Sequence, residues 1–129
     1  MTTPARVLVV EDDVDTLNMW QHILSSWGYD VDGAHSAPSA LAKIQDKCPD
    51  VIISDLVLPG MSGIELLKRL RSTKPDCRIF FVLATGQACV SSAVAAIAEG
   101  AAEVLLKPVN FEELHETLKR YGFCGMADD

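Results

Sequence analysis

A chain of 129 residues with 49% hydrophobic and 22% charged residues has enough apolar side chains to bury a core as one domain, which excludes a disordered chain. Its 18 acidic against 11 basic residues give a formal charge of −7 with no basic stripe, which argues against direct binding to nucleic acid. The opening MTTPARVLVVEDD has only a short apolar run before three acids, so neither a signal peptide nor a membrane partner is expected, and the protein is read as cytoplasmic.

RVLVV (6–10) reads as a buried strand. Leu17, Trp20, Leu24 and Trp27 then recur at helical spacing, with Gly28 placed to end that helix. YDVDGA is a weaker second strand. Ser36 and Pro38 mark the start of a second helix in which Ala37, Leu41 and Ile44 share a face, ending before Pro49. VIIS (51–54) is the third strand. Ser62 and Glu65 stand at capping-box spacing ahead of a helix with Ile64, Leu67 and Leu70 inward, closed by Pro75.

RIFFVLA (78–84) is the most hydrophobic strand and suits a sheet interior covered on both faces. The Ala-rich segment at 90–99 reads as a helix ended by Gly100, its small side chains explained first by helix propensity. AEVLL (102–106) is the fifth strand, and Asn110 with Glu113 caps a last helix that turns Phe111, Leu114 and Leu118 inward. Strands alternating with helices predict an α/β, doubly wound (βα)5 unit, one domain over 1–129 with a short tail at 122–129.

Cys48, Cys77, Cys89 and Cys124 are widely spaced without a C-x-x-C pair, so they are expected to be reduced thiols rather than a zinc or redox site. His22, His35 and His115 are equally isolated.

In parallel sheets, ligands bind beyond the carboxyl ends of the strands. Strand one ends in Glu11, Asp12 and Asp13, strand three in Asp55, strand four in Thr85 and Gly86, and strand five in Lys107 and Pro108. Asp55 lies among Val51, Ile52, Ile53, Leu56, Val57 and Leu58, where an unpaired carboxylate is costly. Two carboxylates about 5 Å apart repel by roughly 3 kcal/mol at an effective dielectric of about 20, and one ammonium does not balance three acids. A hard divalent ion does, so Glu11, Asp12 and Asp55, with the backbone carbonyl of Val57, are candidate ligands for Mg²⁺; no EF-hand loop favours calcium. Helix capping is the competing reading of the EDD run, above all for Asp13. Pro59, Gly60 and Gly63 read first as turn residues, with close backbone approach at Gly63 as the second reading.

VLVVEDD, SDLVLPGMSG, LATG and LLKPV together resemble the receiver domain of two-component response regulators, from about Arg6 to Tyr121. That resemblance implies a flavodoxin-like five-stranded parallel sheet of order 2-1-3-4-5 with helices on both faces. It implies that Asp55 accepts a phosphoryl group from a histidine kinase or a histidine phosphotransfer protein, that Glu11 and Asp12 hold Mg²⁺, and that Thr85 and Lys107 contact phosphoryl oxygens. The N–H of Leu56 is a further candidate donor, and Pro108 resembles a residue that follows a cis peptide bond. Such a domain catalyses only its own phosphorylation and dephosphorylation.

Partners of receivers dock near the fourth helix, fifth strand and fifth helix, and a homodimer is compatible with the family. Val104 stands where the family usually has an aromatic that follows the switch, so coupling is expected to be weaker or carried differently. Val57 and Gln87 occupy positions that influence hydrolysis, and an apolar Val57 predicts a long-lived phosphorylated state. The chain ends soon after the fifth helix, which reads as a regulator without an output domain or as the receiver portion of a longer protein.

Three rival readings compete with the receiver. A haloacid-dehalogenase-type phosphatase needs a second Asp where Val57 stands. A nucleotide or flavin binder lacks its glycine motifs and would meet three acids after strand one. A receiver-like adaptor acting by protein contact alone is the stronger rival, opposed by the presence of Asp55, Thr85 and Lys107.

Overall fold

The most apolar segments become the central strands, and the more polar ones become the edges. The computed structural model describes residues 3–86 and 90–125. In chain order it contains β1 (Arg6–Val10), α1 (Val14–Ser26), β2 (Asp30–Ala34), α2 (Ala37–Asp46), β3 (Val51–Asp55), α3 (Gly63–Thr73), β4 (Phe80–Thr85), α4 (Val90–Ala98), β5 (Glu103–Leu106) and α5 (Phe111–Arg120). All pairings are parallel, in the order β2-β1-β3-β4-β5. This is the order expected from the sequence. β2 is only partly buried: Asp30 and Asp32 are exposed, Val31 packs against one core and Ala34 lies in the other, and the four-residue β5 closes the other edge.

Alternation along each strand feeds two cores. On one face Leu8, Val10, Ile52, Phe81 and Leu83 meet Ala40, Ile44, Leu66, Leu67, Leu70 and Ala96 from α2, α3 and α4. On the other Val7, Val9, Val51, Ile53 and Val82 meet Leu17, Trp20, Leu24, Leu114 and Leu118 from α1 and α5. Each of the Val, Leu, Ile and Phe side chains contributes about 1.5–3 kcal/mol by leaving water, so the carboxyl ends of the strands are set on a stiff support.

Four helices begin on the caps that the sequence offers. Asp13 accepts from the Thr16 N–H, Ser36 from Ser39, Ser62 from Glu65 and Asn110 from Glu113. Gly28, at φ 91°, turns the chain after α1 into a region closed to most side chains.

Three expectations need correction. The inner stripe of α3 is Gly63, Leu66, Leu67 and Leu70, whereas Ile64 is only half-buried, because it sits one residue off that row. Trp27 is the C-cap of α1 and half-buried; its ring stacks on His115 at 4.2 Å between centroids. Cys48 and Cys77 are not separate thiols: they are joined, with Cα atoms 6.1 Å apart. Their separation of 29 residues hides that parallel β3 and β4 start at the same end of the sheet, which brings the preceding loops together. Cys124 is free and exposed, and Cys89 lies outside the described residues.

Part of the tail is tied down. Ala5 N–H donates to the Cys124 carbonyl at 3.0 Å, and the Tyr29 hydroxyl donates to the Phe123 carbonyl at 3.0 Å. Among the described residues no helix is long and apolar enough to cross a membrane.

Candidate functional site

Four strand ends place the predicted side chains on one rim. Glu11 follows β1, and its N–H donates to the Ala34 carbonyl at 3.0 Å, so the residue is held in line with the sheet although it lies outside the strand. It is only 4% exposed. Asp55 is the last residue of β3, and its register partner on β4 is Ala84, which puts Thr85 one step beyond it on the neighbouring strand. Thr85 is buried, and its carbonyl accepts the N–H of Lys107 at 2.8 Å, which locks the residue after β5 to the end of β4.

Lys107 closes the cluster. Its ammonium donates to Asp55 Oδ2 at 3.1 Å and to Glu11 Oε1 at 3.5 Å. Carboxylate oxygens of Glu11, Asp12 and Asp55 lie within 4.8 Å of one another. At that separation each pair of charges repels by about 3.5 kcal/mol at an effective dielectric of about 20. Asp12 is the exposed member, so the cluster opens to solvent on its side. The peptide bond between Lys107 and Pro108 is cis.

Electrostatics follow from this crowding. Burial pushes the Glu11 carboxyl up from its ordinary value, and the Asp55 charge adds to that, against the opposing pull of the Asp13 N–H and Lys107. For Lys107, burial works to lower the value, but the hydrogen bond and charge of Asp55, with the charge of Glu11, outweigh it and leave the ammonium more firmly protonated than usual. Asp13 is not part of the cluster: its side chain caps α1, and the Thr16 hydroxyl and N–H hold its carboxyl below the ordinary range.

The loop after β3 corrects one expectation. The N–H of Leu56 is taken by the Ala84 carbonyl at 3.2 Å, so it does not face the cluster. The N–H of Val57 donates instead to Asp55 Oδ1 at 3.3 Å. Sequence alone does not separate these neighbours, because a turn can aim either amide inward.

Gly63 has a larger part than a turn residue needs. Its N–H donates to the Leu56 carbonyl at 2.8 Å. A Cβ there would lie 2.5 Å from the Asp55 carbonyl oxygen and 2.7 Å from Leu83 Cδ1. The visible signal is a Gly immediately after the capping Ser62, a position where most residues are tolerated. Val57 is 60% exposed on this loop, and Val104 is half-buried against the α2, α3 and α4 core. Gln87 lies outside the described residues.

Oxygen donors of this kind suit a hard cation with retained waters, and three carboxylates against one ammonium leave the charge for it to offset. A family model for the response regulator receiver domain matches residues 7–119. The chain belongs to the response regulator receiver family.

Receiver relatives agree over nearly the whole chain. It is 37% identical over 114 residues to the transcriptional regulatory protein ZraR of Salmonella typhimurium, covering 88% of this chain and 25% of that protein. It is 37% identical over 111 residues to the response regulator MprA of a Mycobacterium species, covering 86% of this chain and 47% of that one. The chain thus spans a quarter to about half of these two relatives. Among solved receivers, the chemotaxis response regulator CheY4 of Vibrio cholerae superposes with a TM-score of 0.83 at 36% identity, covering 92% of this chain and 98% of that chain. A CheY-like receiver domain protein from Methanospirillum hungatei gives 0.84 at 33% identity, covering 92% and 94%.

Proposed function

We propose that Asp55 accepts a phosphoryl group from a phosphohistidine on a histidine kinase or phosphotransfer protein, in a Mg²⁺-dependent reaction that switches partner binding. The observation that carries this reading is the Asp55 carboxylate held at 3.1 Å by Lys107, within 4.8 Å of the Glu11 and Asp12 oxygens, at the carboxyl edge of the sheet. Asp55 attacks phosphorus as the phosphorus–nitrogen bond to the donor imidazole breaks.

Carboxylate oxygen is a weak nucleophile toward an anionic centre, so alignment and charge neutralisation must supply the rate. The packed β3 fixes the direction of Asp55. Lys107 holds the carboxylate at 3.1 Å and then pairs with a phosphoryl oxygen. Thr85, on the adjacent strand, donates its hydroxyl to another, and the Val57 N–H donates to Asp55 Oδ1. Glu11, Asp12, Asp55 and the Val57 carbonyl would hold Mg²⁺, which when bound offsets the negative charge of the phosphoryl oxygens. The domain turns over no substrate beyond its own phosphorylation and dephosphorylation.

An apolar, outward Val57 offers no group to align a hydrolytic water, which supports a phosphorylated state that outlives the signal. A half-life of seconds under native conditions would count against this. The domain acts in the cytoplasm without touching nucleic acid itself. Val94 and Ile97 on α4 and Leu106 on β5 are exposed apolar side chains, which supports a protein partner there, a second copy included.

Incubation with Mg²⁺ and acetyl phosphate tests the reading by intact mass. Wild type should gain one phosphoryl group, and Asp55→Asn none. Unmodified wild type would leave the adaptor reading in its place.

A further inference from the structure

At the opposite end of the sheet from Asp55, the loop between α2 and β3 meets the loop between α3 and β4. Cys48 and Cys77 lie there with Cα atoms 6.1 Å apart, inside the range a disulfide spans. Hydrogen bonds that do not involve sulfur hold the two loops on either side. Phe80 N–H donates to the Asp50 carbonyl at 2.9 Å, and the Lys74 ammonium donates to the Gln45 carbonyl at 3.4 Å. The Cys77 N–H donates to the Lys74 carbonyl at 3.1 Å. The thiols are therefore brought together by the fold, and closing the bond costs little further order.

The surroundings suit an anionic thiol reagent. Cys77 is half-buried and lines a cavity of about 180 Å³ together with Leu67, Arg71, Lys74 and Pro75, and Arg78 follows it in the chain. These cationic side chains suit an anionic reagent, with Asp76 acting against them. Cys48 is exposed and follows Lys47, with Asp46 one residue further back. In the reducing cytoplasm proposed above, on which this inference rests, a persistent structural disulfide is unusual and a reversible one is the common case.

We propose that Cys48 and Cys77 form a reversible dithiol–disulfide site that exchanges with glutathione-type disulfides. The Cys77 thiolate attacks one sulfur of oxidised glutathione, forming a mixed disulfide and expelling one glutathione thiolate. The Cys48 thiolate then attacks the Cys77 sulfur, forming the Cys48–Cys77 bond and expelling the second glutathione thiolate. The two protons lost by the protein thiols are taken up by the two glutathione molecules, so the protein is oxidised by two electrons and the glutathione disulfide is reduced by two.

The test uses the full chain with Cys89→Ser and Cys124→Ser, equilibrated in buffers of varied reduced-to-oxidised glutathione ratio and read by acid-quenched intact mass. The expected result is loss of two hydrogens and of both titratable thiols as the buffer becomes oxidising, reversed by reduced glutathione. Adding Cys48→Ser should trap a glutathione adduct on Cys77. No intramolecular bond at any ratio, or no adduct in the Cys48→Ser protein, would overturn the proposal. Repeating the titration with Asp55→Asn should give the same curve, and because the readout requires no phosphoryl transfer, failure here leaves the phosphoacceptor reading standing.

Discussion

Replacing Gly63 with Ala sets helix propensity against steric contact at the back of Asp55, the proposed phosphoacceptor. Ala favours a helix over Gly by about 1 kcal/mol at most, and less at a first helical position. Against this, the added methyl would lie 2.5 Å from the Asp55 carbonyl oxygen, 2.7 Å from Leu83 Cδ1 and 3.2 Å from Ser54 Oγ. Leu83 can rotate, but the carbonyl belongs to the strand end that carries Asp55 and moves only if the backbone moves. Overpacking of this kind costs about 1–3 kcal/mol. The steric term wins, and the expected net loss is about 1–2 kcal/mol. With a urea dependence of about 1–3 kcal/mol per molar, the midpoint should fall by roughly 0.3 to 2 molar. Phosphoryl uptake from acetyl phosphate should slow as well, since the displaced atom belongs to Asp55, the proposed acceptor. Gly86→Ala is the control, because a methyl there meets nothing within 4 Å. A Gly63→Ala protein with an unchanged or higher midpoint and wild-type uptake would refute the reasoning.

Removing Lys107 as Met leaves Glu11 and Asp55 facing each other without their ammonium; after discounting for its partial exposure the loss is about 1–3 kcal/mol in metal-free urea titrations, and added Mg²⁺ should recover part of it. Glu11 has a raised folded value, so its contribution to stability is present below its ordinary value of 4.5 and is lost as pH rises through the higher folded value. Glu11→Gln should therefore gain on wild type in metal-free buffer as pH rises above 4.5, measured as the difference in urea midpoints. Ser62→Ala removes the acceptor for the Glu65 N–H and should cost about 1 kcal/mol by the same measurement. Oxidised protein should exceed Cys48→Ser in stability by about 3.5 kcal/mol if loop-closure entropy dominates, read from urea midpoints in the two states.

Periodicity and strand-end chemistry made most of the architecture legible beforehand. β1 was readable to the residue because Arg6 leads four consecutive apolar residues that end at three acids. The caps at Ser36, Ser62 and Asn110 were readable because their partners lie within three residues. Contacts set by tertiary placement were not. Ile64 and Leu66 are both good apolar candidates for the α3 stripe, and only the angle of the helix on the sheet decides between them. Cys48 and Cys77 meet because two parallel strands begin side by side, a relation carried by topology rather than spacing. The amide facing Asp55 depends on the turn after β3, where Ala84 takes the Leu56 N–H and leaves that of Val57.

β5 is the outermost strand, four residues long, with hydrogen-bonded partners on one side only. The ammonium that balances the acids thus follows an edge strand and is tied to the end of β4 by its own backbone N–H, while the Asp55 carboxylate ends an inner strand paired on both sides. Small lateral adjustments can bring the countercharge nearer to or farther from its target at modest energetic penalty, and the interior need not repack to permit them.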